Sequence, residues 1–237
     1  MDERRLELLE AAVWCQIQHQ VAPAFRDRFG VSVRSDQLGV RIRASRTGDL
    51  SLNRVYALGV STPLTTGDLH ALVEEYTDSG APRFLISWAP VAAPTEARGW
   101  FEARGFRRIR PIARLTRHTS PDFFVETDLA VREASASDAK VFGEIAARGN
   151  GLSVDFADGF NSTIGSPGWR HYLVLDGERP VSAAALFVDG DYAWAGLAGT
   201  LPDDRRRGSQ SALLARQRLG FDITYELENF VLDVRTR

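Results

Sequence analysis

The 237-residue sequence is long enough for one large domain or two small ones, and its 44% apolar and 25% charged residues are typical of globular proteins. A formal net charge of −2 gives no indication of nucleic acid or an acidic membrane as a partner. One cysteine, Cys15, excludes an internal disulfide. The isolated histidines lack cysteine neighbours at metal-ligand spacing, so we expect no metal site.

The first residues, Met1 to Arg5, lack the basic start and the following apolar core of a secretion signal. No apolar run is long enough to cross a membrane. We therefore expect a cytoplasmic protein without a membrane partner. Cys15 lies in an apolar stretch, where the expectation is a buried, unreactive thiol.

The first third of the chain predicts two helices separated by extended segments. The first helix follows from apolar residues at helical spacing, from Leu6 to Ile17. Residues 38–60 predict extended structure around a turn-prone centre. The second helix is expected to be capped by Thr66 and to end at Gly80.

The pattern continues with a short apolar strand over residues 83–88. A third helix is predicted from Thr95 to Gly105, and residues 106–117 predict a strand or a hairpin. Strands and helices thus alternate, which indicates an α/β layer. A polar break at residues 117–122 predicts two domains, 1–120 and 121–237.

The second half begins with a predicted strand over residues 129–133 and a helix. Ser135 and Asp138 match a capping box at the start of this helix, and Gly149-Asn150 is expected to end it. Residues 150–168 are polar and glycine-rich, and we expect an irregular, mobile loop.

Three strands are predicted next, over residues 171–175, 181–188 and 192–200. The Asp-Gly pairs at 176–177 and 189–190 are hairpin signals, so the strands are expected to form an antiparallel meander. Gly196 and Gly199 in the third strand indicate a bulge or a close approach by a ligand.

The segment after the third strand is the strongest candidate for a binding site, because a tight turn there leads into an apolar helix. The start of a helix leaves backbone N–H groups unpaired and partly positive, and these can bind a pyrophosphate. Gly208 would let the backbone approach, and neighbouring arginines and serines would add charge and donors. An arginine run before a helix is also commonly a solvated surface. The candidate residues are Arg205, Arg206, Arg207, Gly208, Ser209, Gln210 and Ser211.

The stretch from Val131 through the meander to Gln210 resembles the GNAT superfamily of N-acetyltransferases. Arg205 and Gly208 match the family signature of Arg or Gln, two residues, Gly, one residue, then Gly or Ala, whereas Gln210 departs from its last position. Residues 219–221, Tyr225 and 229–231 resemble the closing strands of the family. The resemblance covers about residues 127–237 and implies that acetyl-CoA is bound.

The first half resembles a second, degenerate copy, since residues 100–106 are similar to a segment near the end of a GNAT domain. Its expected pyrophosphate turn, residues 61–67, has no arginine. The resemblance therefore implies two tandem GNAT-like domains of the α/β (α+β) class, each with a mixed, mostly antiparallel sheet flanked by helices. The second is shorter than the family pattern by about 30 residues, one strand and one helix, after Gln217.

The resemblance implies transfer of an acetyl group from acetyl-CoA to an amine of a small molecule or a peptide. Backbone groups of Ala198, Gly199 and Thr200 would hold the pantetheine arm and polarise the thioester carbonyl. The missing segment often carries the general acid, so a protein that binds acyl-CoA or a partner without catalysis is the alternative. Another nucleotide binder is disfavoured, because no Gly-Lys-Ser/Thr phosphate loop is present. A homodimer is compatible with the sequence.

No catalytic residue is identified by the sequence. Asp155 and Asp158 lie in the expected loop, where solvated residues are the simpler interpretation. Tyr225 is a weak candidate for the general acid, with strand packing as the simpler role. His171 is expected at a sheet edge and not as a base. Two tryptophans, Trp169 and Trp194, are candidates for the acceptor pocket, although aromatic core is the default for both.

Overall fold

The computed structural model describes residues 2–118, 129–206 and 221–234. These residues form two compact units. The first unit comprises residues 2–19, 23–114 and 223–234, and the second comprises residues 20–22, 115–118, 129–206 and 221–222. None of the helices in these ranges is long and apolar enough to span a membrane.

The first unit contains a six-stranded sheet with helices packed against it. In chain order its elements are α1 (Glu3–Gln20), α2 (Pro23–Phe29), β1 (Val31–Asp36), β2 (Gly39–Ala44), β3 (Arg54–Tyr56), α3 (Thr66–Asp78), β4 (Arg83–Trp88), α4 (Ala97–Ala103), β5 (Arg107–Thr116) and, from the end of the chain, β10 (Asp222–Asp233). The strand order is β1-β2-β3-β4-β10-β5. The β3–β4 pair is parallel, whereas the β1–β2, β2–β3 and β4–β10 pairs are antiparallel.

The second unit contains a four-stranded antiparallel sheet in the order β6-β7-β8-β9. Its elements are β6 (Ala130–Glu133), α5 (Ala139–Gly149), α6 (Ala157–Asn161), β7 (Trp169–Asp176), β8 (Arg179–Asp189) and β9 (Tyr192–Thr200). The predicted meander is confirmed. The fold class is mixed α and β with mostly antiparallel sheets flanked by helices, as predicted.

Local sequence signals explain most of these elements. The capping box of Ser135 and Asp138 is present, although it opens a short 3-10 turn that leads into α5. Helix α3 is capped by Thr65, not by Thr66, because the Thr65 side chain accepts from the Asp68 amide and the Asp68 carboxylate accepts in return. For residues 106–117 the structure has the predicted strand, β5 (Arg107–Thr116), and not the alternative hairpin.

The sequence analysis missed two short elements and was wrong about one loop. Helix α2 and strand β1 were not predicted, since each is only about two turns or a few residues long. Residues 150–168 are not one irregular loop, because a 3-10 turn at Val154–Phe156 continues into α6. Ala157 of this helix is buried, with 9% of its surface exposed. Packing therefore stabilises a helix that the polar sequence of this segment does not predict.

Strand β10 lies in a different place from the one expected for the end of the second domain. It pairs with β4 in the sheet of the first unit, with Phe230 opposite Ile86 and Val231 opposite Leu85. Both Phe230 and Val231 are almost fully buried there. Burial of these apolar side chains and pairing of the backbone groups explain why the strand joins the larger sheet.

Candidate functional site

The predicted binding segment is only partly within the described residues. Arg207, Gly208, Ser209, Gln210 and Ser211 lie outside them, so the helix-start phosphate site stays a prediction. Ala198, Gly199 and Thr200 end strand β9, and Arg205 and Arg206 follow after a 3-10 turn at Pro202–Asp204.

Strand β9 contains the bulge that its glycines predicted. Opposite it on β8, Ala183 pairs with Gly199 and Ala185 pairs with Gly196, so Ala184 alone faces Leu197 and Ala198. Leu197 has a φ of +50°, in the left-handed region that branched residues rarely adopt. The backbone strain therefore lies at Leu197, between the two glycines.

The outer edge of β9 carries no neighbouring strand in the part of the chain that the structure describes. Backbone groups that point away from β8 therefore have no strand partner there. Ala198 is half-buried, whereas Gly199 and Thr200 are buried. Of the three predicted backbone sites, Ala198 is thus the more accessible.

Helix α5 packs directly against Gly199. A Cβ on Gly199 would lie 2.9 Å from the Ala146 carbonyl oxygen, and a Cβ on Gly149 would lie 2.5 Å from the Thr200 nitrogen. Two glycines therefore allow the last turn of α5 to touch the bulged strand. Gly196 has a different role, because a Cβ there would meet the ring of Trp194 at 2.2 Å.

Two polar side chains fasten this contact between helix and strand. The Asn150 side-chain amide donates to the Ala146 oxygen at 2.8 Å and to the Ala198 oxygen at 2.8 Å. Arg205 Nη2 donates to the Gly149 oxygen at 2.9 Å. A cation at the last carbonyls of a helix is favourable, since that end carries partial negative charge. Arg205 thus has a structural role at the end of α5.

The turn that leaves β9 is fixed by buried polar contacts. Thr200 Oγ1 lies 2.7 Å from Ser182 Oγ, which also donates to the Gly199 oxygen. Asp204 is 4% exposed and accepts two bonds from Arg179, at 2.9 and 2.6 Å. These contacts set the direction in which the chain continues toward Arg206, which is exposed and has a φ of +67°.

The candidate acid, base and pocket residues are distributed over both units. Asp155 and Asp158 lie at the start of the short helical segment, and Asp158 is exposed. Trp169 is buried at 6% exposure and packs edge-on against Trp194 with ring centroids 6.1 Å apart. For Trp169 the structure therefore shows the aromatic core that was the default interpretation.

His171 lies in the interior, which corrects its expected position at a sheet edge. It is 2% exposed on β7, a strand paired on both sides, and its Nε2 lies 3.1 Å from Thr163 Oγ1. Burial lowers the pKa of His171 to about 4, so the ring is neutral near pH 7. It fills the core beside Phe142 with ring centroids 4.9 Å apart.

Tyr225 belongs to the first unit, where it lies on strand β10. Its hydroxyl donates to Glu7 Oε1 at 2.7 Å, and burial raises its pKa well above the ordinary value. Cys15 is half-buried, and burial raises the pKa of its thiol as well. Neither group is activated for proton transfer or nucleophilic attack near neutral pH. No group of metal-ligating side chains occurs among the described residues.

Sequence reasoning missed the residues that fasten α5 to β9. Gly149 and Asn150 were identified only as a helix end, and the pairing of Arg179 with Asp204 was not predicted. A helix-ending Gly-Asn pair was the available signal, but its partner strand lies nearly fifty positions further along the chain. Such a pairing becomes visible only in three dimensions.

No protein-family model and no curated protein matches the sequence. Solved structures do resemble the fold. A GCN5-related N-acetyltransferase from Kribbella flavida is similar with a TM-score of 0.58 and 13% identity, over 93% of this chain and 94% of that one. A GCN5-related N-acetyltransferase from Sphaerobacter thermophilus is similar with a TM-score of 0.56 and 15% identity, over 86% of this chain and 76% of that one.

A functionally unknown conserved protein from Staphylococcus epidermidis is also similar, with a TM-score of 0.53 and 10% identity over 89% of this chain and 98% of that one. Because all these identities are low, the likenesses show the fold and nothing finer. The chain has the fold of the GNAT superfamily.

Proposed function

We propose that this GNAT-fold chain is an N-acetyltransferase that moves an acetyl group from acetyl-CoA to a primary amine of a small molecule or a peptide. The observation that carries the proposal is the bulge of β9 at Leu197 and Ala198, on an edge with no strand partner in the described ranges. Strained backbone of this kind is concentrated at functional sites. The sequence-based expectation of a cytoplasmic location stays a prediction.

In this proposal the backbone of β9 and of the following turn does most of the binding. Backbone groups at Ala198, Gly199 and Thr200 hold the pantetheine arm and polarise the thioester carbonyl. Residues 205–211 hold the pyrophosphate, with Arg206 and Arg207 as counter-charges while Arg205 also bonds α5. The amine nitrogen forms the new bond to the acetyl carbon, the carbon–sulfur bond breaks, and CoA leaves as a thiolate that takes up a proton from water or an acid. The amine proton leaves through a carboxylate or a water chain.

A second candidate is a protein that binds acyl-CoA without turnover. Strand β10 pairs in the sheet of the first unit, and the Tyr225 hydroxyl donates a hydrogen bond to Glu7 there. Both facts place Tyr225, the tyrosine considered as a general acid, in the first unit, away from β9 of the second unit in the fold. This alternative keeps the binding half of the proposal and removes the chemistry.

The first experiment is a thermal melt with and without CoA. Binding raises the apparent stability by about 2.7 kcal/mol at a hundredfold excess over the dissociation constant. We expect Gly208→Glu to abolish the shift, since a carboxylate repels the pyrophosphate. Ala136→Glu is the matched control, because it adds the same charge at an exposed position at the start of the turn before α5. A shift retained in Gly208→Glu, or one produced by ATP and not by CoA, contradicts the proposed site.

The second experiment separates the enzyme from the binding protein. Release of free thiol from acetyl-CoA is measured with a panel of small-molecule and peptide amines. Turnover on one of these amines supports the N-acetyltransferase. A CoA-dependent melting shift without turnover on any amine supports the second candidate.

A further inference from the structure

Three aromatic side chains form a row across the four-stranded sheet of the second unit. Trp169 of β7 pairs with Phe187 of β8, which pairs in turn with Trp194 of β9. Side chains of directly paired residues project to the same face of a sheet. Ring centroids are 5.1 Å apart between Trp169 and Phe187 and 6.1 Å apart between Trp169 and Trp194. The row therefore covers one face of the sheet and ends at Trp194.

Helix α5 packs on the same face. His171 lies two residues beyond Trp169 on β7, so the two side chains project to one face, and the His171 ring centroid is 4.9 Å from that of Phe142 in α5. On β9, the last turn of α5 approaches Gly199 from this side. The aromatic row and the acyl site of the proposed function are therefore neighbours along β9.

The Trp194 ring lies over the backbone of Gly196, on the side toward the bulge. A Cβ on Gly196 would lie 2.2, 2.4 and 2.9 Å from Cη2, Cζ2 and Cζ3 of this ring. These atoms belong to the six-membered part of the indole, which therefore occupies the space that a side chain at position 196 would fill. Leu197, the strained residue with a φ of +50°, follows directly. Gly196 thus allows an aromatic surface to lie beside the bulge.

Partial exposure distinguishes Trp194 from the rest of the row. Trp169 and Phe187 are buried, at 6% and 7% exposure, whereas Trp194 is half-buried. The Trp169 ring packs edge-on against the indole of Trp194 and supports it from the interior. Of the three rings, Trp194 is therefore the one that a ligand at β9 can contact.

The chemistry of this surface favours a flat, uncharged group. The two rows of side chains before the bulge are Trp169, Phe187 and Trp194, and then His171, Ala185 and Gly196. His171 is neutral near pH 7, so these two rows carry no charge. A carboxylate on this face of β8, Asp189, lies one row further from the bulge, opposite Tyr192. Aromatic groups gain both buried area and stacking against an indole.

We propose that the indole of Trp194 is the platform on which the amine substrate lies, and that it selects primary amines that carry an aromatic ring. This inference rests on the proposed function and names the class of its acceptor. The platform lies over Gly196, two residues or about 6–7 Å of strand before Ala198. An amine joined to an aromatic ring by a short alkyl chain can therefore stack on Trp194 while its nitrogen reaches the thioester carbonyl.

The test compares Trp194→Leu, which removes the platform, with Trp194→Phe, which retains a smaller ring. Trp100→Leu is the matched control, because it makes the same change at a half-buried tryptophan of the first unit. Thiol release from acetyl-CoA gives kcat/KM for phenethylamine, cyclohexylethylamine and putrescine. Calorimetric titration of the CoA-loaded protein with phenethylamine measures amine binding without turnover. Melting curves with and without CoA verify that each variant is folded and binds CoA.

We expect the wild type to prefer phenethylamine to both other amines. Trp194→Leu should lower kcat/KM for phenethylamine about tenfold, the size of a lost aromatic contact with its buried area, and should change the value for putrescine by less than about twofold. Trp194→Phe should stay within about threefold of the wild type, since a smaller ring still stacks. The affinity of the CoA-loaded protein for phenethylamine should fall about tenfold in Trp194→Leu. The control should change none of these quantities.

Gly196→Ala is an independent test that keeps the ring. The added Cβ would lie 2.2 Å from Cη2 of Trp194, so the indole must move away from the strand. We expect a loss of about fivefold in kcat/KM for phenethylamine, smaller than that of Trp194→Leu because the displaced ring still offers apolar surface. Putrescine should again be affected less than about twofold.

Three results overturn the inference. A wild type that prefers putrescine to phenethylamine contradicts the substrate class. Equal losses for all three amines in Trp194→Leu would show a general effect on the site and no platform. Unchanged kcat/KM and affinity for phenethylamine in Trp194→Leu remove the contact. If the wild type releases no thiol with any amine, the proposed function fails, whereas phenethylamine binding that Trp194→Leu abolishes would still show that the indole binds an aromatic amine, and absence of this binding would refute the inference as well.

Discussion

The two units hold their sheets together in different ways. The first unit fills its interior with large aromatic rings, such as Tyr76 stacked on Phe84 at 4.0 Å and Phe101 packed on Phe230 at 5.0 Å. The second unit has small residues along its central strands, and Ala183, Ala184 and Ala185 are all buried. In the second unit helix α5 therefore reaches the backbone of β9 itself.

Both units bury carboxylates beside an arginine, but the number of carboxylates that share the arginine differs. In the first, Glu7 and Glu10 of α1 are both bonded to Arg114 of β5. Burial raises the pKa of Glu7, whereas Arg114 and Arg54 outweigh burial and hold the pKa of Glu10 below its ordinary value. In the second unit one buried carboxylate, Asp204, is paired with Arg179, and the buried His171 is neutral and bonded to a hydroxyl.

The small residues of the second unit indicate where a site made of backbone can exist. Buried alanines on β8 and glycines on β9 allow a close approach to the strand backbone, and the bulged strand β9 can present amide groups. The proposed acyl site therefore belongs to the second unit, and the following variants test the contrast.

The largest effect is expected from Arg114→Leu in the first unit. It would leave two buried carboxylates facing each other without their shared cation, at a cost of about 3–5 kcal/mol. Urea denaturation measures the loss. Arg107→Leu is the control, since this exposed arginine pairs with the exposed Asp233 and should contribute less than about 1 kcal/mol. Equal losses would refute the distinction between buried and exposed pairs.

Gly149→Ala tests the close approach in the second unit. The added Cβ would lie 2.5 Å from the Thr200 nitrogen and 2.6 Å from the Gly199 Cα, so α5 or β9 must shift. We expect a destabilisation of about 1–3 kcal/mol. Gly99→Ala in α4 is the matched control, because its Cβ would meet nothing within 4 Å. The control should be neutral or stabilising by up to about 1 kcal/mol. A neutral Gly149→Ala would mean that the helix does not touch the strand.

The buried His171 should make the free energy of unfolding of the second unit sensitive to acid. Its pKa is about 4 in the folded chain and about 6.5 when unfolded, so the unfolded chain binds more protons between these values. The contribution is complete above pH 6.5 and is lost as the pH falls from 6.5 through 4, up to about 3 kcal/mol. We expect His171→Gln to flatten this part of the curve of unfolding free energy against pH. An unaltered slope in the variant would show that the ring is not buried.

The smallest effects are expected from the capping boxes that both units contain. Thr65→Ala before α3 and Ser135→Ala before α5 each remove a capping box, and each should cost about 1 kcal/mol. Thr62→Ala, at an exposed position ahead of α3, is the control and should be neutral. If one cap costs much more than the other, the local rule is not sufficient and packing around that helix start must be included.

Periodicity and turn residues predicted the elements that bury a regular face or end at a defined turn. Helices α1, α3 and α5 and the meander of β7, β8 and β9 belong to this group. The bulge in β9 could be predicted because glycine inside a strand weakens the regular ladder and often marks such an irregularity. Helix α2 and helix α6 could not, since short helices depend on packing partners far along the chain.

The sequence by itself determined the local structure of most of the chain. It showed which segments are strands, where the hairpins turn, and that β9 is irregular next to an arginine-rich turn. Only the tertiary structure decided that β10 completes the sheet of the first unit, that Tyr225 is bonded to Glu7, and that Asn150 holds Ala198. The reason is physical. Local patterns fix local hydrogen bonds, but partners separated by dozens of residues are chosen by burial and backbone satisfaction in the complete fold.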